Sequence, residues 1–413
     1  MLTPQDGMRI SADTSLAGGV YYLPGGLVID ADGVTLDGGG AWLLGSGSGR
    51  GLTVRGRGAV TIRNLRLAGY YHNIYAEACA GLTIAGCTAR ASAEEPANTL
   101  FLDIWRPAAQ AYGAGVMLVA VRDGLLIDCD LQHQQNGLLC YAGSGLIVRR
   151  NVANHCSGAG FHFFATNDCL VEDNYADFCC RYQPRSPDHG HLGADAAGFL
   201  IVHGSCRNLF RRNRARLGGD GFFLAGLRPD WTPVPCDENV FEQNDGSYSP
   251  NIAFEATFSR GNIFRGNRAD GCNYGFWLGF SRESLLEGNH MSGNRAAGVA
   301  VENGIACTVR DNDFVASAYG LLLWSKYVEP FARTHPANDT SRDWLISGNR
   351  FSGNRVAVRI AADQDHGVRP LPPHTPRCPR PQRHTLRANQ FHNNQRDIEL
   401  IDAEEPLLEA NRF

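Results

Sequence analysis

The sequence predicts an all-β solenoid, a fold in which short coils of strand stack on one another. Three observations predict it: a motif that recurs at intervals of 22 or 23 residues, a glycine that opens a short apolar strand, and apolar residues that alternate with period two. A unit this short cannot bury its own apolar face, but stacked units can bury it between them. Helix–turn–helix repeats need longer units and a helical apolar spacing, so they are excluded.

The recurring motif is an aliphatic pair, one or two polar residues and then asparagine. It ends at Asn151, Asn174, Asn213, Asn244, Asn267, Asn289, Asn312, Asn349 and Asn389. The longer intervals are those of coils that carry an inserted loop. Asparagine tolerates left-handed φ at sharp corners, and amides stacked at the ~4.8 Å strand spacing can form a ladder. We therefore predict that these asparagines are structural. Cys87 and Cys129 occupy equivalent positions and are expected to stack inside in the same way.

A second motif, glycine followed by alternating apolar residues, begins about six residues after many of these asparagines. The glycines are Gly137, Gly160, Gly198, Gly221, Gly275, Gly298 and Gly320. If the first and third residues after the glycine point inward, the second points outward. The spacing predicts roughly a dozen coils, which at ~4.8 Å each form a rod about 60 Å long.

Together the asparagine and glycine motifs resemble those of the right-handed parallel β-helix repeat family, which includes NosD-like and pectin-lyase-like proteins. The resemblance runs from about Gly33 to Phe413. It implies a single-stranded right-handed parallel β-helix in one domain, with residues 1–32 as an N-terminal cap and 33–413 as coils. Many proteins of this fold act on polysaccharides, and inulin fructotransferases of this fold are trimers. The resemblance therefore implies a carbohydrate partner and makes a homotrimer a secondary expectation.

Composition excludes several classes of protein. The 413 residues are 43% apolar with a formal net charge of −4, which argues against disorder and against an electrostatic nucleic-acid binder. No apolar run reaches the ~18 residues that a membrane span needs. The thirteen cysteines lack the spacing of a disulfide framework and are expected to be mostly small buried residues. No signal peptide is visible, so a cytoplasmic location is predicted, or a secreted or periplasmic one if a leader has been removed.

Function in a solenoid is expected where the repeat is interrupted, because the coils themselves are scaffold. Five inserted segments interrupt the repeat of 22 or 23 residues. They are residues 92–112, 181–195, 227–238, 325–343 and 363–384. The second and third occupy consecutive coils, so we expect them to flank one stretch of the rod.

The outward register defines a surface stripe that holds the candidate site. The stripe contains His162, Leu200, Phe223, Trp277 and Ala300. Matching residues 258–260 to 280–282 places Glu255 level with Trp277, and the fourth residue after each glycine adds Glu302 and Trp324. We predict Asp220 and Glu255 as a catalytic carboxylate pair, with Cα atoms roughly 11 Å apart. The predicted substrate-binding residues are His162, Asp195, His203, Trp231, Trp277, Glu302 and Trp324.

Aromatic faces beside carboxylates suit sugar rings, which stack their C–H faces and hydrogen-bond through their hydroxyls. The leading hypothesis is an enzyme that cleaves or transfers glycosidic bonds in an oligo- or polysaccharide with a carboxylate pair. One alternative is a uronate lyase or epimerase, although the run from Asp188 to His191 lacks the Pro and Glu of the alginate epimerase motif. Another is a non-catalytic carbohydrate-binding or structural rod. No cofactor is predicted, and no metal site, with His189 and His191 as weak candidate ligands.

Overall fold

The structure is a computed structural model that describes residues 1–96, 100–186, 189–192, 196–362 and 376–413, with residues 182–186 and 189–192 described by their backbone only. The chain divides into two compact units, Met1–Asp220 and Gly221–Phe413. Each unit is built almost wholly from short strands. No helix among the described residues has the length and apolar character needed to cross a membrane.

The first unit contains twenty-two strands and one 3₁₀ turn at Ala108–Gln110. The strands are β1 (Arg9–Ile10), β2 (Thr14–Ser15), β3 (Val20–Tyr22), β4 (Leu27–Ile29), β5 (Thr35–Asp37), β6 (Trp42–Leu44), β7 (Arg50–Arg55), β8 (Thr61–Arg63), β9 (Arg66–Ala68), β10 (His72–Glu77), β11 (Thr83–Ala85), β12 (Thr88–Arg90), β13 (Ala114–Val119), β14 (Leu125–Ile127), β15 (Leu138–Tyr141), β16 (Ile147–Arg149), β17 (Phe161–Phe164), β18 (Leu170–Glu172), β19 (Tyr182–Ser186), β20 (His189–Leu192), β21 (Ala197–Val202) and β22 (Leu209–Arg211).

The second unit contains the remaining strands and one short helix, α1 (Glu329–Thr334). Its strands are β23 (Asp220–Ala225), which begins at the last residue of the first unit, β24 (Val240–Glu242), β25 (Ile252–Thr257), β26 (Ile263–Arg265), β27 (Tyr274–Trp277), β28 (Leu285–Glu287), β29 (His290–Ser292), β30 (Ala297–Glu302), β31 (Thr308–Arg310), β32 (Asp313–Val315), β33 (Tyr319–Trp324), β34 (Leu345–Ser347), β35 (Arg350–Ser352), β36 (Val356–Ala361), β37 (Thr385–Arg387), β38 (Gln390–His392), β39 (Arg396–Ile401) and β40 (Leu407–Glu409).

Apart from the antiparallel pair of β19 and β20, the strands of each unit stack into parallel sheets, and a coil gives each sheet at most one strand. In the first unit, a first sheet runs from β1 through β4, β7, β10, β13, β15 and β17 to β21, and a second sheet runs from β2 to β22. In the second unit, the corresponding sheets run from β23 to β39 and from β24 to β40. The all-β parallel solenoid is therefore confirmed. Strands begin already at Arg9, so the segment predicted as a cap contributes to the coils, and the single-domain arrangement stays a prediction.

The core of each coil is filled by aromatic and aliphatic side chains that stack on their equivalents in the next coil. In the second unit, the rings of Phe222, Phe254 and Phe276 are parallel, with centroids 4.8 and 4.9 Å apart. All three are wholly buried. Because Phe254 and Phe276 lie directly before Glu255 and Trp277, the register predicted for these strands is confirmed.

The predicted asparagine ladder is present in both units. Asn151 Nδ2 donates to Asn174 Oδ1 at 3.0 Å in the first unit, and Asn267 Nδ2 donates to Asn289 Oδ1 at 3.0 Å in the second. Each Nδ2 also donates to a backbone carbonyl of the preceding coil, as Asn267 does to Phe241 and Asn151 does to Leu126. The ladder satisfies polar groups at buried corners, where an unpaired donor or acceptor would be costly.

The left-handed residue at these corners is not the asparagine, which corrects one part of the prediction. The preceding residue has positive φ: 54° at Arg150, 58° at Asp173 and 62° at Gly266. The physical reason is that two consecutive residues have different tasks at each corner. One residue makes the turn, and the asparagine that follows it places its amide in the ladder.

Replacing Asn267 by alanine should lower the free energy of unfolding by about 1–3 kcal/mol, because it leaves buried groups on both neighbouring coils without partners. Chemical denaturation of the purified variant measures this loss. Arg310→Ala is the control: its ion pair with Glu287 lies at the surface, so it should cost less than about 1 kcal/mol. Equal losses in the two variants would contradict a structural ladder.

Glycine in the strand motif is required by close approach of the next coil. A Cβ built on Gly275 would lie 2.5 Å from the carbonyl oxygen of Gly298, closer than real Cβ contacts. The cysteines behave as predicted for small buried residues, because ten of the thirteen are buried. Cys129 lies in the coil after Cys87, and the thiols interact, as expected from their equivalent positions.

Candidate functional site

One residue from each coil of the first unit lies at the same register position on the outer face of its first sheet. This outer row consists of Arg9, Val28, Thr53, Tyr75, Met117, Leu139, His162 and Leu200. The pairing of His162 with Leu200 confirms this part of the predicted stripe. The row places one outward side chain from each coil along one line, about 4.8 Å from coil to coil.

A groove with a volume of about 670 Å³ opens on this face, over β7, β10 and β13. Strands β7 and β10 supply most of its polar side chains, and the 3₁₀ turn between β12 and β13 forms part of its wall. The lining residues are Gly49, Arg50, Arg55, Tyr71, His72, Tyr75, Glu77, Ala108, Ala109, Gln110, Ala111 and Val119. A volume of this size is typical of a site for a small organic ligand, in the range of about 300–1,000 Å³.

The polar centre of the groove is a cluster of two arginines, a tyrosine and a glutamate. The Arg50 guanidinium carbon lies 3.4 Å from the centroid of the Tyr75 ring. The Tyr75 hydroxyl donates to Glu77 Oε2 at 3.1 Å, and Arg55 Nε lies 2.9 Å from the same oxygen. Glu77 thus forms an ion pair with Arg55 and accepts the hydrogen bond that orients the phenol of Tyr75. Arg50 has no carboxylate partner among the ion pairs of the described residues.

His72 and Tyr75 line the groove with pKa values shifted in opposite directions. Burial, helped by the charge of Arg50, lowers the pKa of His72 to about 4, so this imidazole is neutral at pH 7. Its Nδ1 is buried and makes no hydrogen bond with a described residue. Burial raises the pKa of Tyr75 against the opposing charge of Arg50, so the phenol keeps its proton. The two ring centroids are 6.0 Å apart. A neutral base and a protonated acid therefore share one groove.

The predicted site residues of the first unit lie outside this groove. His162 is 5% exposed, and burial lowers its pKa to about 3. Its expected place on an open surface is corrected, because Leu102, Ile104 and Tyr112 lie over it. His203 is half-buried and stacks on Phe164 with centroids 4.2 Å apart. Neither histidine is placed to contact a ligand in the groove.

Asp220, predicted as one member of the catalytic pair, is wholly buried at the start of β23. It is the last residue of the first unit, whereas Glu255 belongs to the second. Their action as a catalytic pair stays a prediction.

The second unit brings four predicted residues together. Glu255 pairs with Trp277, and Trp277 with Ala300, as the register predicts; Glu302 pairs with Trp324. Both glutamates are half-buried, and the rings of the two tryptophans meet edge to face with centroids 5.4 Å apart. Trp324 is wholly buried in an apolar cluster with Ala300 and Leu322, so it cannot offer its face to a sugar as predicted. The physical reason is that outward side chains of adjacent coils cover one another.

The remaining predicted residues lie in the inserted segments. Trp231 is 38% exposed in the third insertion and packs edge to face on Phe331, with centroids 5.4 Å apart. Asp195 lies outside the described residues, and so do the side chains of His189 and His191. Across the ranges that the structure describes, no three His, Cys, Asp or Glu side chains group together as metal ligands.

Sequence reasoning missed the groove, although its own register rule finds it. Gly51 opens β7 as the other glycines open theirs, and Asn73 takes the glycine position in β10. The second and fourth residues after Asn73 are Tyr75 and Glu77, and the fourth after Gly51 is Arg55. The prediction relied on a glycine at the start of each strand and on inserted segments. Strand β10 has asparagine in place of the glycine, and β7 follows no long insertion, so neither strand was selected.

Two family models match the chain. Residues 33–215 match the model described as right handed beta helix region, and residues 193–369 match the model of the periplasmic copper-binding protein NosD. The resemblance to right-handed parallel β-helix proteins is thereby confirmed. No curated protein matches the sequence.

The NosD description raises the question of copper, which binds His, Cys and Met ligands in proteins. Cys236, Cys272 and Cys307, in the matched range, are buried, and each thiol lies against backbone carbonyls of its own and a neighbouring coil or loop. With no group of three His, Cys, Asp or Glu side chains among the described residues, those residues do not fit a copper site.

Solved structures of the same fold cover nearly the whole chain at low identity. The mannuronan C-5 epimerase AlgE6 A-module of Azotobacter vinelandii is 14% identical, with a TM-score of 0.50, over 97% of this chain and 90% of that one. The periplasmic alginate epimerase AlgG is 12% identical, with a TM-score of 0.53, over 93% and 78%. The catalytic domain of a GH87 α-1,3-glucanase is 12% identical, with a TM-score of 0.51, over 97% of this chain but only 64% of the glucanase domain. At these identities the likeness shows the fold.

Proposed function

We propose that this protein acts on a polysaccharide that carries carboxylates, a uronate chain, bound in the groove of the first unit. The observation that carries the proposal is Arg50, which stands over Tyr75 beside a neutral histidine and has no carboxylate partner in the described ion pairs. Guanidinium is the group best matched to a carboxylate, because its planar fork donates two parallel hydrogen bonds. Tyr71, which is half-buried and lines the groove, adds aromatic surface for the C–H face of a sugar ring.

The same groups fit the chemistry of a uronate lyase or C5-epimerase, one of the alternatives left open by the sequence. Neutral His72 takes the proton from C5, and the negative charge that develops on the sugar carboxylate is stabilised by Arg50. In elimination, that electron pair forms the C4–C5 double bond as the bond from C4 to the glycosidic oxygen breaks, and the Tyr75 phenol protonates the departing oxygen. In epimerisation, the phenol instead returns a proton to C5 from the opposite side.

A finding from the solved structures supports this direction. Two of the structural relatives are named as a mannuronan C-5 epimerase and an alginate epimerase, so the fold accommodates such an enzyme. The match of residues 193–369 to a family described as periplasmic favours the periplasmic alternative for the location of this protein. A homotrimer stays a prediction.

A second candidate function, glycoside cleavage or transfer, rests on the second unit. Glu255 lies beside Trp277, which is half-buried. Glycoside hydrolysis needs a carboxylate at the glycosidic bond, and the exposed part of Trp277 can contact a sugar ring. Asp220 is the predicted partner of Glu255, and Glu302 is a carboxylate of the same unit on the same outer face. This candidate predicts activity on neutral glycans, whereas the groove of the first unit predicts a requirement for carboxylates.

Replacing Arg50 by glutamine should weaken binding of uronate chains by roughly 10- to 100-fold, the value of a charged hydrogen bond of about 1.5–3 kcal/mol. Titration calorimetry with alginate and polygalacturonate oligomers measures the effect, and neutral glucan oligomers test the requirement for a carboxylate. Glu255→Gln is the matched control in the second unit and should leave uronate binding unchanged. Loss of binding in Glu255→Gln but not in Arg50→Gln would move the site to the second unit.

A further inference from the structure

The outer row of the first unit changes abruptly from accessible to covered. Toward the N-terminus Arg9 is exposed, and Val28 and Thr53 are half-buried. From Tyr75 onward every member of the row is buried, and Met117, Leu139 and Leu200 are each at most 2% exposed. A ligand that follows the row is therefore accommodated on the N-terminal coils and stopped near β13.

The cover is a strap formed by residues 100–112. Ala111 packs against Tyr75, Met117 and Leu139, and Tyr112 lies over His162 and Leu200. The space left between the strap and the sheet is a cavity of about 20 Å³, room for a single water molecule and not for a sugar. Residues 108–111 of the same strap form the wall of the groove. One segment thus builds the groove and closes it on one side.

Several contacts fix the strap in this position. The side chain of Arg181 is 4% exposed, and its guanidinium donates to the backbone oxygens of Leu100 and Pro96, the first at 3.1 Å. The backbone N–H of Asp103 donates to the Tyr112 hydroxyl at 3.0 Å, and Arg106 lies over the Tyr112 ring at 4.2 Å. The wall is therefore an ordered part of the first unit. The buried side chain of Arg181 holds it, and it packs on apolar residues of the sheet.

We infer that the groove takes the end of a polysaccharide chain and not its middle, so that the protein acts on chain termini. This inference rests on the proposed function and adds the mode of binding to it. A groove open along its whole length lets a chain pass through, whereas a groove walled across the outer row accepts a few sugars and then stops the chain. The volume of the groove lies in the range of sites for small ligands, which agrees with this mode.

The test is the number of protein molecules that bind one chain. Alginate or polygalacturonate fractions of two very different lengths are saturated with protein, and the mass of the complex is measured by analytical ultracentrifugation. End binding predicts one protein per chain at both lengths and an unchanged affinity per chain. Binding along the chain predicts a number of bound proteins that rises with length, and this result would overturn the inference while leaving the proposed function intact.

The pattern of products released by the wild-type protein provides a second test. An enzyme that acts on chain ends releases short products from the first turnovers, while the viscosity of the polymer falls slowly. Rapid loss of viscosity before short products accumulate would overturn the inference. If neither uronate polymer binds or reacts, the proposed function fails, which is a different outcome from binding in the wrong stoichiometry.

Discussion

Replacing Tyr75 by phenylalanine should lower turnover on uronate polymers by about 10²- to 10⁴-fold, the range for loss of a positioned general acid. The substitution removes only the hydroxyl that donates to Glu77, and it keeps the ring on which Arg50 lies. Substrate affinity should therefore change little while kcat falls. Formation of unsaturated uronate, followed by its ultraviolet absorbance, measures elimination, and proton exchange at C5 measures epimerisation.

Tyr141→Phe is the matched control for Tyr75→Phe. Tyr141 lies on the same outer face, in the same apolar cluster and equally buried, but it does not line the groove. Its loss should leave turnover unchanged. If Tyr75→Phe keeps full activity, or if both variants lose it equally, the phenol of Tyr75 is not the acid of the reaction.

The pH profile of wild-type kcat/KM tests the assignment of His72 as the base. The base must be unprotonated, and burial with the nearby charge of Arg50 lowers the pKa of His72 to about 4. Activity should therefore persist as the pH falls through 6.5, the ordinary histidine value, and should be lost only near pH 4. A midpoint near 6.5 would indicate a different, more exposed base.

The fold could be predicted from the sequence because its physical causes are local and repeated. A coil corner needs a buried amide, so asparagine recurs, and close packing of coils excludes a Cβ at positions such as Gly275. Alternation with period two then gives the register, which placed Glu255 beside Trp277 correctly. Each of these causes acts once per coil, and repetition makes the signal strong.

The site could be predicted only in part, because exposure is not a local property. Register places His162 and Trp324 on the outer face, and both are there, but the strap covers the first and neighbouring coils cover the second. Conversely, Arg50 and Tyr75 come from separate coils, and only the stacking of β7 on β10 brings their side chains together. The sequence shows which face a residue occupies, whereas packing decides which part of that face a ligand can reach.

Replacing Glu172 by alanine should destabilise the first unit by about 3 kcal/mol. The Glu172 side chain is 3% exposed and contacts the guanidinium groups of Arg149, Arg211 and Arg212. Breaking a buried ion pair costs about 3–5 kcal/mol, and the lower end applies because the arginines are partly exposed and regain water. Urea denaturation at neutral pH measures the loss. The control Asp128→Ala removes an exposed pair with Arg150 and should cost less than about 1 kcal/mol.

The effect of Glu172→Ala should also depend on pH, with a sign set by the arginines. Burial opposes ionisation of this carboxyl, but the hydrogen bond from Arg211 and the charge of Arg149 outweigh it and hold its pKa below the ordinary value of 4.5. A lowered pKa in the folded state stabilises the protein above pH 4.5, and that contribution is lost as the pH falls through the folded value. The difference between wild type and Glu172→Ala should therefore shrink in acid. A deficit that stays constant with pH would mean that Glu172 stabilises the coil by packing and not by charge.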